Sequence, residues 1–336
     1  MLSKKILTKT SNKKDFAFIL GDYKFTSVDI SDPLNPIILD SITSPIVSST
    51  SYDVVIDHDR DILFATTATT TSCIIAYDIS DPENLSEISL SISLIGTPYT
   101  IAYNEETKVL FIADYIYTLI RAYDMSDLNN VSLIGSLNPE DNAIRSVVLD
   151  RLKTTLYVLT NSSAIFSVDV SNPSNMVVNY SYYHAVFFDN ERTPFITDDN
   201  TKLLTASNDD TKLKVFSIES SSTITQLSGT STSPYVTSLN SLSFDNDTDV
   251  CYIAGPTSIA SYQLNTNGSV SFLDYTTYSG GTNIQKSLDV KNKNLYITDN
   301  DTTSLKIYDV SNPNSLTLLN SIVLPNKGIV CLKINK

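Results

Sequence analysis

The sequence predicts an all-β chain in which seven copies of one four-stranded unit close into a ring, and three observations carry that expectation. One stretch keeps returning. Val28-Asp29-Ile30-Ser31-Asp32-Pro33 recurs as Tyr77-Asp78-Ile79-Ser80-Asp81-Pro82, Tyr123-Asp124-Met125-Ser126-Asp127, Val168-Asp169-Val170-Ser171-Asn172-Pro173 and Tyr308-Asp309-Val310-Ser311-Asn312-Pro313. The leading aspartates lie 49, 46, 45 and 140 residues apart, and two worn copies, Phe216-Ser217-Ile218-Glu219 and Tyr262-Gln263-Leu264-Asn265, fall inside the last gap. A fixed period of about 47 residues is the mark of a repeat array. Second, apolar residues come in runs of strand length, while helical spacing is almost absent. Third, each unit grades from a continuously apolar strand to an alternating one. That gradient suits flat antiparallel sheets stacked radially about an axis, so the fold class is a seven-bladed β-propeller, one domain over residues 1–336.

The second unit shows the strands in order. Tyr52 to Asp57 reads as a first strand, turned by Asp57 to Asp61. Ile62-Leu63-Phe64-Ala65 is apolar throughout, as a strand covered on both faces must be. Ile74 to Ile79 is the third strand, and Pro82 ends it because proline offers no N–H to a ladder. Ile88 to Leu94 alternates aliphatic with serine, the pattern of an outer edge strand with one wet face. Second strands recur at Val109 to Ala113, Thr155 to Leu159, Val250 to Ala254 and Asn294 to Thr298. The chain enters at a second strand, Asp15 to Leu20, and leaves with an unclaimed first strand, Gly328 to Ile334. The C-terminal strand is therefore expected to complete the first blade, with residues 5–9 as the other candidate.

The phrases Tyr157-Val158-Leu159-Thr160-Asn161 and Lys306-Ile307-Tyr308-Asp309-Val310-Ser311-Asn312-Pro313 resemble the LVIVD and YVTN repeats of β-propeller proteins. The likeness runs along nearly the whole chain, although units five and six lack the Asp and the Pro. It implies a propeller with a cell-surface, secreted or interaction role, and it brings no catalytic residue with it.

Composition narrows the function. With 37 acidic against 23 basic residues the net charge is −14, which repels phosphate backbones and argues against a nucleic-acid partner. No apolar run reaches transmembrane length, and Met1 to Lys9 is not followed by the apolar stretch of a secretory signal. The expected location is cytoplasmic or within an assembly, such as a virion. Cys73, Cys251 and Cys331 sit in strand patterns without CxxC spacing and read as buried thiols. Two histidines, His58 and His184, in different units cannot build a histidine-rich metal site. Trp is absent, the five arginines are scattered, and no GxSxG, P-loop or dinucleotide glycine pattern occurs.

Three sets of residues remain as candidates. The recurrent Asp at the end of each third strand is expected to accept hydrogen bonds from the turn that follows. Asp57, Asp59, Asp61 and Asp245, Asp247, Asp249 place carboxylates at alternate positions of two first-to-second-strand turns, a spacing that suits calcium. Such loops need glycine at the sixth position and an acid at the ninth. These turns have Ile62 or Val250, then Ala65 or Ile253, so polar turns without metal or other cofactor are expected. Last, residues 179–192 hold Tyr182, Tyr183, Phe187, Phe188 and Arg192, with Tyr115, Tyr117, Tyr235 and Tyr278 in comparable loops. Aromatic rings on loops suit protein contacts and also glycans. The expectation is a non-catalytic interaction scaffold or assembly component, not an enzyme. The rivals are a cell-surface or glycan-binding propeller and a calcium-dependent propeller hydrolase or lactonase.

Overall fold

A computed structural model describes residues 14–43, 51–67, 73–90, 98–114, 117–139, 143–161, 164–183, 191–207, 210–278, 288–299, 302–325 and 327–335. These residues form seven four-stranded antiparallel sheets. The first strands are Lys327–Ile334 for blade 1, Ser51–Asp57, Pro98–Asn104, Ile144–Leu149, Glu191–Ile196, Ser241–Asp245 and Leu288–Lys291 for blades 2 to 7. Each touches the first strands of both neighbours, and these contacts run full circle around a central axis. The only helical elements among the described residues are single 3-10 turns at Leu128–Asn130 and Pro173–Asn175. None is long and apolar enough to cross a membrane.

The ring closes as the strand inventory requires. Lys327–Ile334 pairs with Phe16–Asp22, with Ala17 opposite Ile334 and Ile19 opposite Leu332. Lys291 Nζ, from blade 7, reaches Asp15 Oδ1 at 2.6 Å, and Asn292 Nδ2 reaches Asp15 Oδ2 at 2.7 Å. The closing strand is thus held in blade 1 by a ladder, and Lys291 ties blade 7 to that blade by charge.

Apolar side chains fill the seams between blades. Ile62, Phe64 and Ile74 of blade 2 meet Ile101, Leu110 and Ile112 of blade 3, and the second strand Val109–Asp114 is buried along its whole length. Fourth strands such as Thr317–Val323 keep one face in water. A second strand has a blade on each side, whereas an outer strand has solvent beyond it. The only cysteine described in full, Cys251, is buried, and burial pushes its thiol pKa well up.

The repeated Asp-x-Ser turn proves to be a local lock. Asp29, Asp78, Asp124, Asp169 and Asp309 each accept the backbone N–H two residues on, at 2.8–3.0 Å. Asp32, Asp81, Asp127, Asn172 and Asn312 do the same for the next turn, at 3.0–3.3 Å. The turn then docks on the preceding blade: Ser27 Oγ donates to Pro82 O at 2.5 Å, and Ser261 Oγ to Pro313 O at 2.6 Å. Between blades 3 and 4 the approach is closer still. A Cβ at Gly135 would stand 2.0 Å from Pro173 O, so only glycine fits.

Glycine is otherwise scarce, 9 in 336, and the tight turns use other residues in the left-handed region. Asp61, Lys108, Lys153, Asn200, Asp249 and Lys293 occupy it between first and second strands, with φ of 51–62°. Asp and Asn tolerate that conformation; lysine is less common there.

Candidate functional site

The paired registers put one residue of each first strand at the same height in the central channel. They are Val55 opposite Phe64, Ala102 opposite Phe111, Val148 opposite Tyr157, Phe195 opposite Leu204, Ser243 opposite Tyr252, Asp289 opposite Tyr296 and Lys333 opposite Phe18. All seven line one cavity of about 380 Å³, within the ~300–1,000 Å³ range of small-molecule sites. The ring is lopsided. Blades 2 to 5 contribute Val55, Ala102, Val148 and Phe195; blades 6, 7 and 1 contribute Ser243, Asp289 and Lys333.

Asp289 is the centre of the polar arc. Its residue is 5% exposed. Oδ1 accepts its neighbour Val290 N–H at 3.0 Å, and Oδ2 accepts Ile334 N–H at 3.3 Å from the closing strand. Lys333 Nζ lies 3.8 Å from the same Oδ2. That is beyond the roughly 2.7–3.2 Å of a direct N–H···O bond, so the two charges face each other without being locked. The carboxylate is fixed by backbone donors on opposite sides of the ring seam, and the ammonium stands beside it.

A second channel carboxylate behaves differently. Asp53 Oδ2 accepts Thr100 Oγ1–H at 2.8 Å and Ile101 N–H at 2.9 Å, and Oδ1 accepts Val54 N–H at 2.8 Å. It ties blade 2 to blade 3. At the mouth on the first-to-second-strand turns stand His58, Glu105, Arg151 and Lys153. Arg151 bridges to Asp198 at 2.8 Å, donates to Ile196 O at 2.7 Å and lies 5.3 Å from the Phe195 ring centroid.

The first proposed metal turn is filled by the protein's own cations. Asp57, Asp59 and Glu105 bring carboxylate oxygens within 4.8 Å of one another. Yet Asp57 takes Arg60 Nε and Tyr103 Oη, each at 2.6 Å, and Lys108 Nζ at 3.3 Å; the same Nζ lies 2.8 Å from Asp59. Burial pushes the Asp57 pKa up, but the hydrogen bonds from Tyr103, Arg60 and Lys108 outweigh it and hold it below the ordinary range. Such a donor set does not fit calcium, which would have to share Asp57 with two cations. In the other turn Asp245 accepts Asp247 N–H at 3.1 Å and Thr248 Oγ1–H at 2.7 Å, while Asp61 and Asp249 occupy the left-handed turn positions.

The aromatic candidates do not form one patch. Tyr182 lies one residue before the end of the fourth strand of blade 4, half-buried, edge-on to Phe216 of blade 5 at 5.6 Å. Tyr183 is exposed beside it, edge-on to Phe166. Tyr117 is exposed, its N–H on Asp114 Oδ1 at 2.9 Å. Tyr235 stacks on Phe272 at 3.8 Å on another part of the rim. Tyr278 turns inward, its hydroxyl on Gly255 O and Lys306 Nζ 5.7 Å from its ring. Arg192 lies on the first strand of blade 5, its backbone opposite Ala206. Tyr115, Phe187 and Phe188 fall outside the described residues.

Sequence reasoning passed over Asp289, Lys333 and Ser243. Their signal was present: a lone charge inside Leu288-Asp289-Val290 and Leu332-Lys333-Ile334, where other units place an apolar residue.

No family model matches the chain, and no curated protein matches it. The LVIVD and YVTN likeness therefore stays a likeness of repeats. Solved structures match over nearly the full length. The chain is similar to a protein from Lactobacillus plantarum (14% identity, TM-score 0.80, 96% of this chain and 100% of that one). It is similar to a candidate 6-phosphogluconolactonase from Bacteroides fragilis (11%, TM-score 0.79, 97% and 99%). It is also similar to the periplasmic gluconolactonase of Pseudomonas aeruginosa (12%, TM-score 0.73, 95% and 99%). At these identities the likeness establishes the seven-bladed fold. The lactonase names among these neighbours stand against two expectations drawn from sequence, a non-catalytic scaffold or assembly component and the absence of enzyme activity. Channel residues are scattered one per repeat and form no linear motif, so the sequence offered no site to weigh against the scaffold reading.

Proposed function

We propose that the protein is a lactonase-type propeller hydrolase working in its central channel. The observation that carries this is the Asp289–Lys333 arrangement, a positioned carboxylate and an adjacent ammonium lining a cavity of about 380 Å³. The lactonase names among fold neighbours support it. Hydrolysis of a cyclic ester needs a base to take a proton from water and a positive charge near the carbonyl oxygen as it becomes negative. Asp289, held by two backbone N–H groups, has the role of base. Lys333 faces the developing oxyanion. Water adds to the carbonyl carbon as Asp289 takes its proton; the ring C–O bond then breaks, and the leaving oxygen takes up a proton to give the hydroxy acid. No step is routed through a metal.

The test is acid release in a pH-stat on a panel of five- and six-membered lactones. Asp289→Asn is expected to lower kcat by about 100-fold or more, the usual scale for loss of a general base. Lys333→Met should lower kcat less. Thermal unfolding controls must show both variants folded. A wild-type chain inert on the whole panel, or an Asp289→Asn variant with full activity, would overturn the assignment.

A further inference from the structure

The channel's asymmetry bears on which lactone it takes, an inference that rests on the hydrolase reading. Opposite Asp289 and Lys333 the waist is walled by Val55, Ala102, Val148 and Phe195, four consecutive blades without a polar side chain at that height. Two residues back along the first strands, only two polar side chains line the cavity on that wall among the described residues. Asp53 already accepts from two backbone N–H groups and a hydroxyl. Thr193 is 7% exposed, and its Oγ1 has no hydrogen-bond partner.

We infer that the substrate is an amphipathic lactone, its ester ring on the Asp289–Lys333 side and an alkyl or aryl arm along the Val55–Ala102–Val148–Phe195 wall. A polyhydroxylated sugar lactone seated at the height of Asp289 and Lys333 would turn several hydroxyls toward a wall with one free hydroxyl near that height, the charged groups of these blades standing at the mouth. Buried polar groups without partners are penalised, whereas each methylene laid on an apolar wall favours binding. The Phe195 ring is braced by Arg151, 5.3 Å from its centroid, so the wall is a formed surface rather than a loose one.

The experiment compares hydrolysis of δ-nonalactone, which carries a butyl arm, with that of δ-gluconolactone. In parallel, calorimetry compares binding of a butyl-substituted δ-lactam with that of unsubstituted δ-valerolactam. The wild-type protein should favour the alkyl lactone at least about 10-fold in kcat/KM, and the alkyl lactam should bind correspondingly tighter. Val148→Thr, close to isosteric, should shrink both preferences several-fold while leaving the fold intact. Equal rates, or preference for the sugar lactone, would overturn the inference and leave the hydrolase reading standing. Neither lactone cleaved but the alkyl lactam bound, with affinity lost in Val148→Thr, would support the wall and overturn the chemistry. Neither cleaved nor bound would overturn both.

Discussion

The rim turns and the channel waist are built by opposite rules. At the rim, five blades repeat the same aspartate, the same hydrogen bond two residues on and nearly the same length. At the waist, seven equivalent positions hold Val, Ala, Val, Phe, Ser, Asp and Lys. A group that every blade needs for turning and docking repeats with the period. A group that acts on one small molecule is needed once, so it departs from the period. In this ring, repetition marks support and its breach marks the proposed site.

That contrast can be broken by showing that rim residues carry activity or that waist residues carry stability. The largest expected effect is at Asp57, which is fully buried and holds Arg60, Lys108 and Tyr103 between blades 2 and 3. Asp57→Ala leaves the Arg60 guanidinium without its buried partner, Tyr103 Oη without its acceptor and Lys108 with Asp59 alone, and should cost about 3 kcal/mol, read by denaturant unfolding, with kcat of the proposed hydrolysis per folded molecule unchanged. Loss of turnover in the folded fraction would break the distinction.

A pH series sharpens it. Asp57 and Asp299 both titrate below the ordinary 3.8: burial raises each, but hydrogen bonds and nearby cations outweigh it, Lys306 acting chiefly on Asp299. A carboxylate lowered on folding contributes stability above its unfolded pKa, and that contribution fades as pH falls through the folded value. Melting temperature should therefore hold above about pH 4 and decline below it, less steeply in Asp57→Ala than in the wild type. A decline starting near neutrality would implicate other groups.

The smallest effect concerns turn strain. Thr303 is β-branched yet has φ 46°, a conformation that a β-branched side chain resists. Thr303→Asn should raise stability by up to about 1 kcal/mol, seen as a small rise in melting temperature with no change in kcat. A fall would mean that the threonine side chain is needed at that turn.

Much of the fold was legible beforehand because its causes are local and repeated. The proline of the repeated turn ends a third strand, an Asx turn needs only its own neighbours, and a doubly covered strand must be apolar along its length. Even closure could be read from a strand inventory with one second strand lacking a first. What fills the acidic turns was not legible, because its cause is not local. Alternate acids are visible in sequence, but Lys108, some fifty residues from Asp57, is not visible as their partner. In the aromatic stretch, likewise, only packing shows that Tyr182 leans on Phe216.

The sequence by itself determined the number of blades, the strand order within each and the chemistry of the turns, because a 47-residue period and its breakers act within one unit. The tertiary structure alone decided the site. Asp289 stands on the first strand of blade 7, and Lys333 on the closing strand, which is set beside it by pairing with Phe16–Asp22 in blade 1. Their approach to 3.8 Å exists only once seven blades have closed the circle. A ring converts residues that are distant in sequence into neighbours across an axis, and no local pattern records which of them will face the same cavity.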